Sequence, residues 1–410
     1  MSRLSLLDNH WIARPHRAGA VDATLGNVIA PTPRRSGCAS LEDTVTFTTK
    51  KAALSGLAMF GAAALLAGCA SAPEESGGDG GGEALDFLPC MVSDAGGFDD
   101  KSFNQLGFQG LQAAAEELGV EYNEVESAAE TDYAANLSSL VDQGCNAIVT
   151  VGFLLAPAAL ESAQQNPDIE YISIDDPVDQ DFDGTTDAEN IKPIIFDTAQ
   201  AAFLAGYLSA GVSQTGVVGT FGGMNIPTVT IFMDGFAQGV DHYNEENGTA
   251  VKVVGWDRAA EDGSFTGGFE ANDTARQLAQ GIIDQNVDVL LPVGGPIYQS
   301  AAAAIEDSGR EIALIGVDAD VFETDPSVGS LLLTSIMKGI DVGVHEAIVE
   351  AGNGEFDTTP FVGTLENDGV GLADYHDWAD RVPAELDAKL QELRDAIVAG
   401  DIEVESYLAE

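Results

Sequence analysis

The feature that most constrains the fold is an internal repeat. Shifting the chain by 142 positions lays residues 142–152 (DQGCNAIVTVG) over residues 284–294 (DQNVDVLLPVG) without a gap. Continuing the same shift places Asp176 on Asp318, and both follow an apolar run. Because unrelated segments rarely match in this way, the repeat predicts two halves that fold alike.

Each half alternates strand patterns with helix patterns. Residues 85–93 and 146–153 are apolar runs typical of buried strands, whereas residues 104–118 and 132–143 have helical periodicity and are each followed directly by glycine. The alternation continues to about residue 350, which predicts an α/β fold of parallel, doubly wound sheets.

The ends of the predicted strands carry glycine and aspartate. Gly152, Asp175 and Asp176 follow strands of the first half, and Gly294 and Asp318 follow strands of the second. Ligands of open parallel sheets lie beyond the carboxyl ends of the strands. Two lobes that face each other would therefore bring both sets of residues to one polar cleft.

The charge of the chain excludes some partners. With 67 Asp+Glu against 17 Lys+Arg, the net charge is −50, so phosphate backbones and anionic membrane surfaces would repel it. Since 45% of the residues are hydrophobic, the chain can nevertheless bury a core. We expect no nucleic-acid partner and no cofactor.

The N-terminal region has the features of an export signal. Lys50 and Lys51 precede an apolar run that is too short to span a membrane and that ends in LAGC at Cys69, which resembles the lipobox of bacterial lipoproteins. We therefore expect an over-extended start at residues 1–44, a signal peptide at 45–68 and lipidation of Cys69. Residues 69–84, rich in Gly and Ser, are expected to be a flexible tether.

Two further cysteines, Cys90 and Cys145, follow the lipidation site. In an exported protein such a pair can form a disulfide. Two separate, small, buried residues in neighbouring strands are the alternative, because sequence does not supply the geometry that a bridge needs. Both interpretations stay open at this point.

Several segments resemble the basic membrane protein family, whose members are exported solute-binding lipoproteins of ABC transporters related to the purine nucleoside receptor of spirochaetes. The most specific is DDKSFNQ within residues 91–111. The others, in the family's order, are residues 197–210 (DTAQAAFLAGYLSA), 219–229 (GTFGGMNIPTV), 273–320 and 333–341 (LTSIMKGID). The resemblance covers almost all of the chain after Cys69.

This resemblance implies a type I periplasmic-binding-protein fold, with two Rossmann-like lobes and a ligand cleft between them. We assign residues 85–196 and 319–352 to the N-terminal lobe, and residues 197–318 and 353–410 to the C-terminal lobe. The implied function is capture of a purine nucleoside and its delivery to an ABC permease with its ATPase subunits. The implied location is the outer face of the bacterial cell membrane, held through the lipid anchor alone.

Aromatic residues that could stack on a purine lie in polar loops. Phe103 occupies the family's stacking position, and an aromatic ring on a base contributes about 1–3 kcal/mol. For the partner ring from the other lobe, similarity favours Phe269 over Phe265. It also favours Phe269 over Phe232, although a weaker repeat of residues 103–110 matches Phe232 to Phe103.

Polar residues could hold the edges of the base and the ribose. Asn104 offers both a donor and acceptors, and carboxylates accept N–H or hydroxyl hydrogens. The resemblance places Lys338 at the sugar, and only ten basic residues remain after Cys69. The complete predicted ligand-binding set is Asp94, Phe103, Asn104, Asp175, Asp176, Phe269, Gly294, Asp318 and Lys338.

Residues 179–190 (DQDFDGTTDAEN) place Asp179, Asp181 and Asp183 at positions 1, 3 and 5 of an EF-hand-like loop. Position 12 is Asn190 rather than glutamate, so an acidic loop without calcium is the alternative.

For the whole protein, the alternatives are the same fold with another small ligand or a sensing role, and a nucleoside hydrolase. We expect a binding protein rather than an enzyme, because the sequence has no P-loop and no G-x-S-x-G motif.

Overall fold

The computed structural model describes residues 85–180 and 184–408. The signal peptide, Cys69 and the tether up to residue 84 lie outside the described residues, so these expectations stay predictions. Among the described residues, no helix combines the length and the apolar character that crossing a membrane requires.

Strands and helices alternate along the chain, as the sequence predicts. The strands are β1 (Pro89–Val92), β2 (Asn123–Val125), β3 (Ala147–Val151), β4 (Glu170–Ile174), β5 (Ile191–Phe196), β6 (Val217–Gly222), β7 (Lys252–Val254), β8 (Trp256–Asp257), β9 (Asp262–Gly263), β10 (Val289–Val293), β11 (Ala313–Asp318), β12 (Leu332–Lys338), β13 (Phe361–Gly363) and β14 (Val370–Leu372). The helices are α1 (Phe103–Leu118), α2 (Tyr133–Asp142), α3 (Ala156–Gln165), α4 (Thr198–Val212), α5 (Pro227–Asn247), α6 (Asp273–Ile283), α7 (Ile297–Ser308), α8 (Val321–Thr324), α9 (Ile340–Gly352) and α10 (Ala384–Val398).

The strands form two large sheets. The first has the order β13-β5-β4-β3-β1-β2 and is parallel throughout. The second has the order β14-β12-β11-β10-β6-β7, and within it β14 pairs antiparallel to β12. The central strands β3 and β10 are fully buried, as is usual for parallel strands with helices on both faces. The expected α/β fold of two similar lobes is confirmed.

The chain passes between the lobes at three places within the described residues. The passages follow β5 at Asp197, follow β12 at Gly339, and join β13 to β14 through residues 364–369. They are hydrogen-bonded to one another: Asp197 N–H donates to the Gly363 carbonyl at 2.8 Å, and Gly339 N–H donates to the Gly369 carbonyl at 2.9 Å. These bonds hold the hinge together at the base of the cleft.

Two of the expected lobe boundaries are wrong. Residues 319–352 are expected in the N-terminal lobe, yet β12 pairs with β11 in the second sheet. Residues 353–410 are expected in the C-terminal lobe, yet β13 pairs with β5 in the first sheet. The reason is that local apolar patterns predict a strand without specifying which sheet it joins.

Cys90 and Cys145 form a disulfide, with Cα atoms 5.9 Å apart. Cys90 lies in β1, and Cys145 lies directly before β3, the parallel neighbour of β1. Of the two interpretations of this cysteine pair, the disulfide is therefore the one that the structure shows.

The disulfide should make a large contribution to stability. It joins residues 55 positions apart, so the Cys90→Ala/Cys145→Ala double variant is expected to lower the free energy of unfolding by about 4 kcal/mol. Urea unfolding with and without reductant measures this. Reductant should destabilise the wild type and leave the double variant unchanged; equal stability of the two proteins would contradict the expectation.

Candidate functional site

A pocket lies between the lobes, at the carboxyl ends of the central strands. The space inside it comes to about 610 Å³ when the open solvent at its mouth is included. Eight of the nine predicted ligand-binding residues line it, namely Asp94, Phe103, Asn104, Asp175, Phe269, Gly294, Asp318 and Lys338. The structure therefore brings together residues that are as far as 244 positions apart in the chain.

Two phenylalanine rings enter the pocket over equivalent glycines. Gly152 follows β3 with φ +95°, and Gly294 follows the matching strand β10 with φ +131°, conformations that favour glycine. A Cβ on Gly152 would lie 3.4 Å from the Phe103 ring, and one on Gly294 would lie 2.6 Å from the Phe269 ring. Each lobe thus contributes one aromatic ring to the pocket, and the absent Cβ leaves room for that ring.

Both amide hydrogens of Asn104 are used within the protein. Its Nδ2 donates to Asp94 Oδ1 at 2.7 Å and to Asp100 Oδ2 at 3.0 Å, while its Oδ1 accepts from the Asp94 N–H at 3.1 Å. Asp94 Oδ2 instead lies beside Gly152 and the Phe103 ring. Asn104 and Asp94 both line the pocket, and the contacts of Asn104 orient the Asp94 carboxylate.

A buried ion cluster forms the inner end of the pocket. Lys338, at the end of β12, donates to Asp175 Oδ2 of the first lobe at 2.6 Å, and its Nζ lies 3.6 Å from Asp318 Oδ1. All three side chains are at most 8% exposed. A buried ammonium is stable only when it is paired, and here two carboxylates from different lobes supply the pairing.

Aromatic rings surround the same ammonium. Lys338 Nζ lies 5.1 Å from the ring centroid of Phe232, 5.2 Å from that of Phe103 and 5.6 Å from that of Phe196. These distances are within the range of cation–π attraction. Because Phe103 and Phe196 belong to the first lobe and Phe232 to the second, the ammonium contacts both sides of the closed cleft.

Burial raises the pKa of two pocket carboxyl groups. The pKa of Asp94 rises to about 6 because burial outweighs its hydrogen bonds from Gly96 and Asn104. The pKa of Asp318 also rises to about 6 through burial, and nearby Asp175 adds to the effect while Lys338 and the Ser102 hydroxyl oppose it. Burial raises the pKa of Asp175 too, against the lowering effect of Lys338.

These raised pKa values predict a stability gain in mild acid. Since the ordinary pKa of an aspartate is 3.8, Asp94 and Asp318 hold more protons in the folded than in the unfolded chain between about pH 4 and pH 6. Stability of the ligand-free protein should therefore rise as the pH falls through about 6. Melting temperatures at several pH values measure this, and Asp94→Asn, which cannot titrate, should show a smaller gain. A melting temperature that falls over this range, or an equal gain in the variant, would contradict the prediction.

Asp176, the ninth predicted residue, does not line the pocket. Its carboxylate accepts from Ser173 Oγ at 3.0 Å and from the Val178 N–H at 2.8 Å, which holds the turn after β4. The residue equivalent to Asp318 is Asp175: the two have φ angles of +68° and +58° respectively, and both face Lys338. The shift between the halves is therefore 143 at this strand, one more than at β3 and β10.

Among the residues that sequence reasoning misses or underrates, three contact the ion cluster. Phe196 ends a strand, and the carboxyl-end rule that identifies Asp175 could have identified it. Similarity favours Phe269 over Phe232 as the second stacking ring, although the weaker repeat matches Phe232 to Phe103. Ser102, inside DDKSFNQ, bonds across the cleft, which no sequence pattern signals.

Phe265, the other aromatic alternative, does not line the pocket. It packs edge-on against Trp256, with the ring centroids 6.5 Å apart. Of the two phenylalanines in this loop, Phe269 is therefore the one that faces the cleft.

The structure describes only part of the predicted calcium loop. Asp181 and Asp183 lie outside the described residues. In the described part of the loop, Asp179 Oδ2 accepts from the Gly184 N–H at 2.8 Å, and Asp187 Oδ2 accepts from the Gln180 N–H at 2.7 Å. The calcium site stays a prediction.

The two-lobed architecture and the cleft agree with comparisons to known proteins. Residues 87–406 match the Bmp family, described as "ABC transporter substrate-binding protein PnrA-like". The chain belongs to this family. It is therefore a substrate-binding protein of an ABC transporter, a class that binds a solute on the outer side of the membrane and presents it to a permease.

Individual relatives cover nearly the whole described chain. The "CD4+ T-cell-stimulating antigen" of Listeria monocytogenes is 28% identical over 357 residues, which is 83% of this chain and 94% of that protein. The "ABC transporter nucleoside-binding protein BmpA" of Lactococcus lactis subsp. cremoris is 26% identical over 360 residues, 84% of this chain and 95% of that protein. The crystal structure of an ABC transporter solute-binding protein from Aeropyrum pernix K1 is 25% identical, with a TM-score of 0.67, and the match covers 77% of this chain and 92% of that one.

Proposed function

We propose that this Bmp-family protein captures a purine nucleoside between its lobes and delivers it to the permease. The observation that carries the proposal is the pair of aromatic rings that line the pocket, Phe103 from the first lobe and Phe269 from the second, each beside a strand-end glycine. A purine is flat on both faces, and stacking on aromatic rings suits it. The name of the Lactococcus lactis relative, a nucleoside-binding protein, supports the same ligand class.

We assign the polar groups to the two parts of the ligand. Asp94, beside the Phe103 ring, accepts N–H groups of the base. Asp318 and Lys338, at the inner end of the pocket, bond the ribose hydroxyls, and Asp175 keeps the ammonium of Lys338 in place. Four carboxylates and one ammonium line the pocket, so an added phosphate group would be disfavoured.

We further propose that the protein acts at the outer face of the membrane, held by a lipid on Cys69. Its partners are then the permease and the ATPase subunits that drive transport. This lipid anchor rests on the LAGC pattern and the signal-like segment before it.

The test is to identify the ligand that co-purifies with the protein. Mass spectrometry of the small molecules released on denaturation should find a purine nucleoside, and thermal shifts should be larger for inosine, guanosine or adenosine than for uridine or ribose. Release of a sugar, with no shift from any nucleoside, would contradict the proposal. Chromatography of inosine after incubation with the protein separates capture from hydrolysis, because a hydrolase would yield free base.

A further inference from the structure

The hydroxyl of Ser102 does not cap the helix that Ser102 precedes. Ser102 precedes α1 as its N-cap, a position where a serine side chain usually bonds the first backbone N–H groups of the helix. Here the Asp100 carboxylate takes that role, because it accepts from the N–H groups of Ser102, Asn104 and Gln105 at 2.9–3.1 Å. The Ser102 hydroxyl therefore makes no bond to its own helix.

Instead, the hydroxyl crosses to the other lobe. Ser102 Oγ lies 3.0 Å from the Val317 carbonyl oxygen and 3.0 Å from Asp318 Oδ2, both at the end of β11. Ser102 is fully buried, so water does not compete for this bond. A hydroxyl has one hydrogen to donate, and the bond to an ionised carboxylate is the stronger of the two.

Asp318 is a residue whose orientation needs such support. Its backbone has a φ of +68°, a conformation that costs an ordinary side chain free energy and persists only where the surroundings enforce it. Its Oδ1 lies 3.6 Å from Lys338 Nζ, and its Oδ2 is held by Ser102. The carboxylate is thus fixed by its own lobe on one side and by the opposite lobe on the other.

We propose that Ser102 is a positioning residue that couples closure of the lobes to ligand binding, because its hydroxyl fixes the Asp318 carboxylate only when the lobes are together. This inference rests on the proposed nucleoside function. It gives the DDKSFNQ segment a second role, distinct from supplying the stacking ring Phe103. An open protein would present Asp318 without its cross-cleft bond and hold the ligand more weakly.

A second bond across the same part of the cleft provides a matched control. Thr324 Oγ1 donates to the Lys101 carbonyl at 2.7 Å. Lys101 is next to Ser102 in sequence, but this hydrogen bond does not involve Asp318. Thr324→Val removes a cross-lobe hydrogen bond at nearly constant volume. Ser102→Ala removes one as well, together with the support of Asp318.

The experiment measures inosine binding to the full chain by stopped-flow fluorescence at several pH values. Ser102→Ala should weaken affinity about 10- to 100-fold, the effect of one hydrogen bond to a charged group, mostly through faster dissociation. Thr324→Val should weaken it less. If Ser102→Ala lowers the melting temperature, Ser102→Cys, with similar volume and a weak donor, gives the same comparison.

The pH profile separates positioning from simple packing. A hydroxyl that donates to a carboxylate favours the charged form, so losing it should move the Asp318-dependent midpoint to higher pH by about one unit. Lys338, Asp175 and Asp100 also face Asp318, and they and Asp94 are unchanged in both variants. Thr324→Val should therefore keep the wild-type midpoint. Equal effects of the two variants, or wild-type binding by Ser102→Ala, would overturn the inference; a wild type that binds no nucleoside would overturn the proposed function as well.

Discussion

Replacing Lys338 by methionine is expected to lower the free energy of unfolding by about 3–5 kcal/mol near neutral pH. The ammonium is 3% exposed and is the cation that pairs with Asp175 and Asp318 in the closed cleft. Without it, two buried carboxylates repel each other and lack a counter-charge. Nucleoside affinity should fall as well, because the proposed ribose contact disappears.

The pH dependence of this effect has a definite sign. The two carboxyl groups can relieve their repulsion by taking up protons, so the deficit of Lys338→Met should shrink as the pH falls toward about 5. Urea unfolding at two pH values measures it. Lys389→Met is the control, since Lys389 pairs with Glu246 near the surface and its loss should cost about 1 kcal/mol or less. A Lys338→Met protein as stable as the wild type near neutral pH would contradict this account of the cluster.

Removing either stacking ring is expected to weaken nucleoside binding strongly. Phe103→Ala and Phe269→Ala should each raise the dissociation constant about 5- to 150-fold, which corresponds to about 1–3 kcal/mol per stacked ring. The structural reason is that each ring is positioned over a strand-end glycine on its own side of the pocket. Titration calorimetry with inosine measures both variants.

Phe265→Ala is the matched control for the second ring. Phe265 is in the same loop as Phe269 but packs against Trp256, outside the pocket. The control should bind inosine with nearly wild-type affinity even if its melting temperature falls. If Phe265→Ala lost as much affinity as Phe269→Ala, the assignment of the second ring would be wrong.

The lobes and most of the pocket could be predicted because the strands and the residues at their ends are both recognisable from short stretches of sequence. Buried parallel strands are apolar runs, and in this fold pocket residues lie at their carboxyl ends: Gly152 and Asp175 directly follow their strands, and Asp318 is the last residue of its strand. The repeat then relates the two lobes. The repeat does not give the exact register between the halves. Because the second half has one additional residue before β11, the shift of 142 aligns Asp318 with Asp176 instead of Asp175.

The remaining features depend on long-range contacts that no local pattern specifies. β12 and β13 exchange lobes relative to the expectation because sheet membership is decided by tertiary pairing. Asn104 is expected from the sequence to meet the base, and the structure adds that Asp94 and Asp100 accept both of its amide hydrogens. The disulfide between Cys90 and Cys145 likewise becomes evident only from the neighbouring positions of β1 and β3.

The most direct test of the central claim is a calorimetric titration of the full chain, freed of co-purified ligand, with inosine, guanosine and adenosine. The account predicts one site per chain and a dissociation constant in the micromolar range or below for at least one of them, with no cleavage of the nucleoside. Absence of binding by all three, from protein that melts as a folded chain, would contradict it.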